Sequence, residues 1–325
     1  MSNLSVNYLG YTLKSPVIVG SSGLTDSPEK IVKLAENGAG AVVLKSLFQE
    51  QIQFEANSML EEGQYPEAGD YLMHYIRNNN LESYLKLIQD SKKQVGIPVI
   101  ASINCVSAGE WLSFAKQVEE AGADALELNV YLLPSKVNSD SAYYEKQYLE
   151  IITAVVSSTK IPVAVKLAPH FTNLPAFIDQ IYKRGARSVV LFNRFYAPDI
   201  NIDTIDFTPA DIISAPQEMR TTLRWVGILS SLVENIDICA STGIHGSAAV
   251  IKQLLAGASA VQVCSAIYKN GPEYIQTLNK EIEQWMHKNT FDSIKQFKGR
   301  LNYKRIKDPS VFERSQFMKY YSDKK

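Results

Sequence analysis

Short apolar runs alternate with amphipathic stretches along the whole chain. Residues 16–20, 41–44, 97–103, 123–130, 161–165, 188–192, 236–240 and 260–263 each read as a buried parallel strand. Between them lie helical patterns. Ser27 and Pro28 stand as N-cap and first helical position of a helix ending near Asn37-Gly38. Helices are also predicted over 81–94, 110–120, 144–157, 174–184, 222–234, 247–255 and 272–286; Leu112, Ala115 and Val118 show the helical spacing. Two polar stretches, 48–80 and 194–218, are too long for ordinary connections and are expected to be rim insertions.

Eight strands with helices between them predict an α/β protein of the (β/α)₈ TIM-barrel type. A weak repeat supports it. Gly38-Ala39, Gly122-Ala123, Gly185-Ala186 and Gly257-Ala258 end the helix before strands two, four, six and eight, where glycine suits a left-handed terminus. Ile97-Pro98-Val99 and Ile161-Pro162-Val163 enter strands three and five. A doubly wound open sheet explains the alternation but not eight evenly spaced units, and no G-x-G-x-x-G follows the first strand. The barrel is expected over 1–290, with 291–325 as a C-terminal extension packed on or near it.

Composition narrows the partners. The 325 residues carry a net charge of −1 and are 46% hydrophobic. Neither nucleic acid nor a membrane surface is expected of a chain with no basic excess. The start has no basic and apolar leader pattern, and no apolar run approaches the roughly 20 residues of a spanning helix. Cys105, Cys239 and Cys264 are scattered and form no C-x-x-C pair, so neither a disulfide framework nor a zinc site is suggested. A cytoplasmic protein acting on a small molecule is the expectation.

In a barrel the C-terminal strand ends share one face, where ligands bind. That face would gather Ser21, Ser22 and Gly23; Lys45 and Ser46; Asn104; Asn129; Lys166; Asn193; Thr242 and Gly243; Cys264 and Ser265. Lysines and amides converge without an Asp/Glu/His cluster, which disfavours a metal. Thr242-Gly243 and Cys264-Ser265, after strands seven and eight, mark the usual phosphate position of such barrels. Lys166 is either a solvated strand-end lysine or a fixed positive charge beside a ring that takes up electrons. His170 and His245 sit just past strand ends, where a histidine is more often structural.

Residues 101–134 closely resemble the flavin barrel of class 1 dihydroorotate dehydrogenases and dihydropyrimidine dehydrogenases. So do Gly20-Ser21-Ser22-Gly23, Val43-Leu44-Lys45-Ser46, 163–169 and 261–267. The resemblance implies FMN at the barrel mouth, with Ser21, Ser22 and Gly23 against its ring. Lys45, Asn129 and Lys166 would lie at the flavin edge. Gly243, Cys264 and Ser265 would contact the phosphate, near Ala215, which stands where the family usually has glycine. It also implies hydride transfer between a dihydropyrimidine and flavin N5, and a homodimer.

The family's base, a Cys or Ser within Asn-x-Ser-Cys-Pro-Asn, falls on Leu132 here, and its second substrate asparagine falls on Pro134. Tyr131 and Ser135 are the nearest hydroxyls. Asn193 is retained, but Arg194 follows it and could meet a substrate carboxylate or close the site as an ion-pair partner. Two other readings stay open: a non-redox phosphate-binding barrel, and a flavin-binding member that has lost turnover.

Overall fold

The eight apolar runs become eight parallel strands of one closed barrel. The computed structural model describes residues 3–48, 69–104, 108–194, 198–209 and 211–313; at 48, 69–78, 108–110 and 209 only the backbone is described. A short antiparallel hairpin comes first, β1 (Val6–Tyr8) and β2 (Tyr11–Leu13). The barrel strands are β3 (Val17–Val19), β4 (Ala41–Val43), β6 (Val99–Asn104), β7 (Ala125–Asn129), β8 (Val163–Leu167), β9 (Ser188–Leu191), β12 (Asp237–Ala240) and β13 (Ala260–Val263). A two-residue strand, β5 (Leu47–Phe48), adds to β6. Around the barrel the order is β4-β3-β13-β12-β9-β8-β7-β6, and pairing of β4 with β6 closes it.

The helices follow from sequence signals at their ends. α1 (Pro28–Glu36) starts with the Ser27 side chain accepting from the Lys30 amide. Asp140 and Asn173 cap α4 (Ser141–Ser158) and α5 (Leu174–Lys183) in the same way. Gly38, Gly122, Gly185 and Gly257 all take positive φ, between 90° and 119°, so the repeated Gly-Ala step does end helices in the left-handed conformation. The remaining helices are α2 (Gly69–Gln94), α3 (Ala108–Glu120), α6 (Met219–Leu232), α7 (Ser247–Ala256), α8 (Ser265–Asn270) and α9 (Tyr274–Lys288). Each lays an apolar stripe on the strands. Phe177, Ile178 and Ile181 of α5 are fully buried, at about 1.5–3 kcal/mol of hydrophobic stabilisation apiece.

Three features differ from the sequence expectation. Helix α2 begins at Gly69, so the stretch expected to be irregular to residue 80 is partly helical; 49–68, and Cys105, lie outside the described residues. The insertion after β9 carries a hairpin, β10 (Pro198–Asn201) and β11 (Asp206–Pro209), with Ile200, Ile202, Ile205 and Phe207 all exposed. Helix α8 was not foreseen, because six residues are too few to show a helical period.

The first hairpin packs on the underside of the barrel. Its Leu9-Gly10 turn has positive φ at both residues, and the Leu9 amide donates to Asp237 at the start of β12 (2.9 Å). Residues 291–313 run back over the helices. The Gly299, Leu301 and Tyr303 amides donate to the carbonyls of Leu254, Leu255 and Gly227, and Phe297 is fully buried beside Trp285 and Phe291.

Candidate active site

Polar residues near or just beyond the strand ends gather in four groups, three at the C-terminal face and one in the barrel interior below it. The first joins three strand ends through hydroxyls. Ser21 Oγ lies 3.0 Å from Ser46 Oγ, and Ser46 Oγ lies 2.6 Å from Ser102 Oγ. The Ser46 amide donates to Ser21 Oγ (2.9 Å). Gly23 follows: a Cβ there would come within 2.9 Å of the Tyr268 hydroxyl, and one on Gly20 within 2.8 Å of Cys264 Sγ. The backbone after β3 therefore lies close against the start of α8. Ser22 turns back on its own loop, donating to the Gly20 carbonyl (3.2 Å).

The second group is an amide pair. Asn193 Nδ2 donates to Asn129 Oδ1 at 2.8 Å. Asn129 is buried, as the last residue of β7, and Asn193 is half-buried beyond β9. Lys45, at the end of β4, is exposed, with no ion-pair partner among the described residues. Asn104 closes β6 and is half-buried.

The third group lies inside the barrel. Lys166 Nζ donates to Gln262 Oε1 (3.1 Å) and sits 3.4 Å from Glu127 Oε1. Gln262 Nε2 donates to Glu127 Oε2 (2.5 Å). Glu127 is 1% and Lys166 8% exposed, so this is a buried ion pair joined by one amide. Its geometry argues against the solvated reading of Lys166. The ammonium is held in the barrel interior, not in solvent. Glu127 Oε1 has no hydrogen bond, which leaves the ion pair as its compensation. Glu127 and Gln262 were not singled out from the sequence. The signal was an acid in an otherwise apolar strand, two residues before Asn129 and so on the same face.

The fourth group is a cradle of two hydroxyls, a backbone amide and an imidazole. Ser214 Oγ donates to Ser265 Oγ (2.9 Å) and lies 3.1 Å from His245 Nε2. The Ser214 amide also donates to Ser265 Oγ, and the Gly243 amide reaches Ser214 Oγ at 3.4 Å. Gly243 has φ +75°, and a Cβ there would sit 2.3 Å from the Met219 amide nitrogen. Only glycine lets that backbone approach the start of α6. Thr242 does not face the cradle through its hydroxyl, which donates to the Phe192 carbonyl (3.0 Å). Burial, then the Lys269 ammonium, holds the His245 imidazole below its usual range, so it is neutral at pH 7. Burial pushes the Cys264 thiol up despite nearby Lys166, so it is protonated. The donor set of Ser214, Gly243, Ser265 and His245 suits a phosphate. Ser214 carries no mark in the sequence, and His245, expected to be structural, lies in hydrogen-bond range of it.

The loop after β7 departs from this convergence. Leu132 is half-buried against the core, with its amide donating to the Tyr148 hydroxyl (3.1 Å). It lines a side cavity of about 190 Å³ with His170 and Phe171. Tyr131 and Ser135 are exposed on this loop. Arg194 is committed elsewhere: its guanidinium meets Glu218 (3.0 Å) and donates to the carbonyls of Ile212 (2.8 Å) and Asp211 (2.7 Å). Ala215 donates its amide to the same Glu218 carboxylate (2.6 Å). Among the described residues no group of three or more His, Cys, Asp and Glu side chains could hold a metal, and no helix is long and apolar enough to cross a membrane.

Comparison with known proteins gives one consistent answer. The family model for dihydroorotate dehydrogenase matches residues 3–286. The catalytic subunit of dihydroorotate dehydrogenase B (NAD(+)) from Thermoplasma volcanium is 28% identical over 314 residues, covering 92% of this chain and 98% of that one. Its counterpart from Methanocella arvoryzae is 30% identical over 274 residues, covering 82% and 88%. A putative dihydroorotate dehydrogenase A (fumarate) from Aeropyrum pernix is 26% identical, covering 91% and 96%. With a matching model over nearly the whole barrel, the chain belongs to the dihydroorotate dehydrogenase family, whose members are FMN-dependent oxidoreductases acting on CH–CH bonds.

Proposed function

We propose that this chain binds FMN over the C-terminal end of its barrel and oxidises or reduces a dihydropyrimidine-like small molecule, with dihydroorotate the first candidate. The carrying observation is that the Asn129–Asn193 pair and Lys166 share one end of the barrel with the Ser214–Gly243–Ser265 cradle. Bound FMN supplies a two-electron centre that exchanges a hydride at N5. The cradle would hold the phosphate, with Ala215 beside it, while Ser21, Ser22 and Gly23 would line the ring. Lys166 would put positive charge near the ring's polar edge, where reduction builds negative charge. Lys45, exposed at the mouth, is free to meet that edge or an anionic substrate group. Asn129 and Asn193 would offer amide hydrogen bonds to substrate or ring.

Proton transfer is where this chain parts from its family. Leu132 stands at the base position and can take no proton. The hydroxyls nearest in sequence are those of Tyr131 and Ser135, both solvent-exposed, while the buried Tyr148 hydroxyl accepts from the Leu132 amide. Absence of a general base typically costs about 10²–10⁴-fold in rate. The test is the absorption spectrum of purified protein, followed by anaerobic titration with dihydroorotate. Failure to retain or take up FMN refutes the reading as a whole. Flavin that stays oxidised with dihydroorotate but bleaches with dihydrouracil moves the substrate within the class. Flavin that bleaches with neither, nor with NAD(P)H, favours the second reading that Leu132 supports: a flavin-binding member without this turnover.

The assembly is also a proposal. Ile200, Ile202, Ile205 and Phe207 expose apolar surface on the hairpin that a second copy would cover, making a homodimer. Ile205→Asp should then give a monomer by size measurement in solution; a monomeric unmodified protein refutes it. The relatives named as catalytic subunits suggest a further electron-carrying partner. We place the FMN barrel at 1–290, the extension at 291–325, and the enzyme in the cytoplasm.

A further inference from the structure

We propose that the underside of the barrel, opposite the active-site face, is a binding site for a small polyphosphorylated molecule. A cavity of about 1510 Å³ opens there. Five cations line it from three separate parts of the chain: Lys160 before β8, Arg187 before β9, and Lys295, Lys298 and Arg305 from the segment after α9. None of the five makes an ion pair among the described residues, although the chain as a whole is nearly neutral.

Two carboxylates lie in the same cavity against the five cations, and of the two only Asp237 lacks an ion pair among the described residues. Glu234 pairs with Lys304 at 2.9 Å. Asp237 accepts from the Leu9 amide (2.9 Å) and from Ser259 Oγ (2.8 Å). Lys298 is the pivot. Its ammonium is fixed by one hydrogen bond, to Ser259 Oγ (2.8 Å), and has no carboxylate within ion-pair reach. Burial pulls its pKa down more than Asp237 raises it, so its charge is desolvated and under-compensated. An anion placed here would relieve that cost. Arg187 and Arg305 add planar donors suited to phosphate oxygens. Arg305 is already directed toward this floor, with Nη1 donating to the Lys298 carbonyl at 3.4 Å.

A ligand with several phosphates could engage both walls at once. It would tie the segment after α9 to the strand entrances of β8 and β9. A single inorganic anion would satisfy only part of the set, so affinity should rise with phosphate number and fall with salt. Nothing in the proposed redox chemistry uses this face, so the site is independent of that reading.

The experiment is calorimetric titration of the full chain with sodium tripolyphosphate, with FMN in excess to fill the opposite cradle. One equivalent is expected to bind and to raise the melting temperature, beyond the effect of sulfate at matched ionic strength. Lys298→Met and Arg187→Ala should each weaken binding by about tenfold or more, as loss of a charge-assisted contact does. Arg187 is exposed, so that variant reports even if Lys298→Met folds poorly. Lys252→Ala, on another face of the molecule, should bind as the unmodified chain does. The proposal is overturned if tripolyphosphate acts no differently from sulfate, or if the Arg187 and Lys298 variants keep full affinity.

Discussion

Removing the Glu127 carboxylate should destabilise the barrel far more than an ordinary substitution. Glu127 Oε1 and Lys166 Nζ are 3.4 Å apart and almost wholly buried. At that distance the gross attraction is about 5 kcal/mol with an effective dielectric near 20. Dehydrating the two ions offsets much of it, so the pair as a unit contributes little net stability. Loss of one partner is different. In Glu127→Ala the lysine charge stays buried with only Gln262 as an acceptor, and Gln262 Nε2 loses the oxygen it donates to. The expected cost is about 3–5 kcal/mol. The assay is urea unfolding of the flavin-free protein, so that ligand binding does not mask the change. Lys166→Met should cost a similar amount. The double variant should cost clearly less than the sum, with a coupling of about 2 kcal/mol or more. A coupling under about 0.5 kcal/mol would refute the reasoning, because the two charges would then be solvated independently.

Three further outcomes follow from the site. Leu132→Cys should restore a proton acceptor and raise any dihydroorotate-dependent flavin reduction by about 10²–10⁴-fold, measured in single-turnover mixing; an unchanged rate would place the defect elsewhere. Gly243→Ala should abolish FMN uptake and lower stability by about 1–3 kcal/mol, since φ is +75° and the new Cβ meets the Met219 amide. His245, whose pKa is depressed by burial and Lys269, charges only below its ordinary range near 6.5. Its contribution to stability is therefore present above that range and is lost as pH falls through the lower folded value. A phosphate in the cradle would favour the charged imidazole, so FMN affinity should strengthen from pH 7 toward 6, and His245→Gln should flatten that dependence.

The barrel was legible in the sequence because its evidence is periodic. Buried parallel strands leave apolar runs, and the four Gly-Ala steps mark helix ends by a conformation that other residues resist. The strand-end residues Asn129, Lys166 and Asn193 were legible for the same reason: a polar residue closing an apolar run stands out. What pairs with them was not. Glu127 and Gln262 lie 135 positions apart, and only barrel closure brings them together. Ser214 sits in an insertion without periodicity, so nothing marked it as facing Ser265. Arg194 carried two readings because sequence shows that a guanidinium follows Asn193 but not which carbonyls surround it.

The guanidinium of Arg194 has a consequence for communication between two parts of the molecule. It binds the backbone at Asp211 and Ile212, on the far side of the exposed hairpin, and the Glu218 carboxylate. That carboxylate holds the Ala215 amide, one residue from Ser214 in the cradle. If a second copy covers the hairpin, as proposed, it would act on the same few side chains that hold the backbone beside Ser214. Thermodynamic reciprocity then requires that whatever hairpin docking does to FMN affinity, FMN does to docking. FMN affinity measured across protein concentration reads that linkage directly, and Arg194→Met should uncouple the two equilibria.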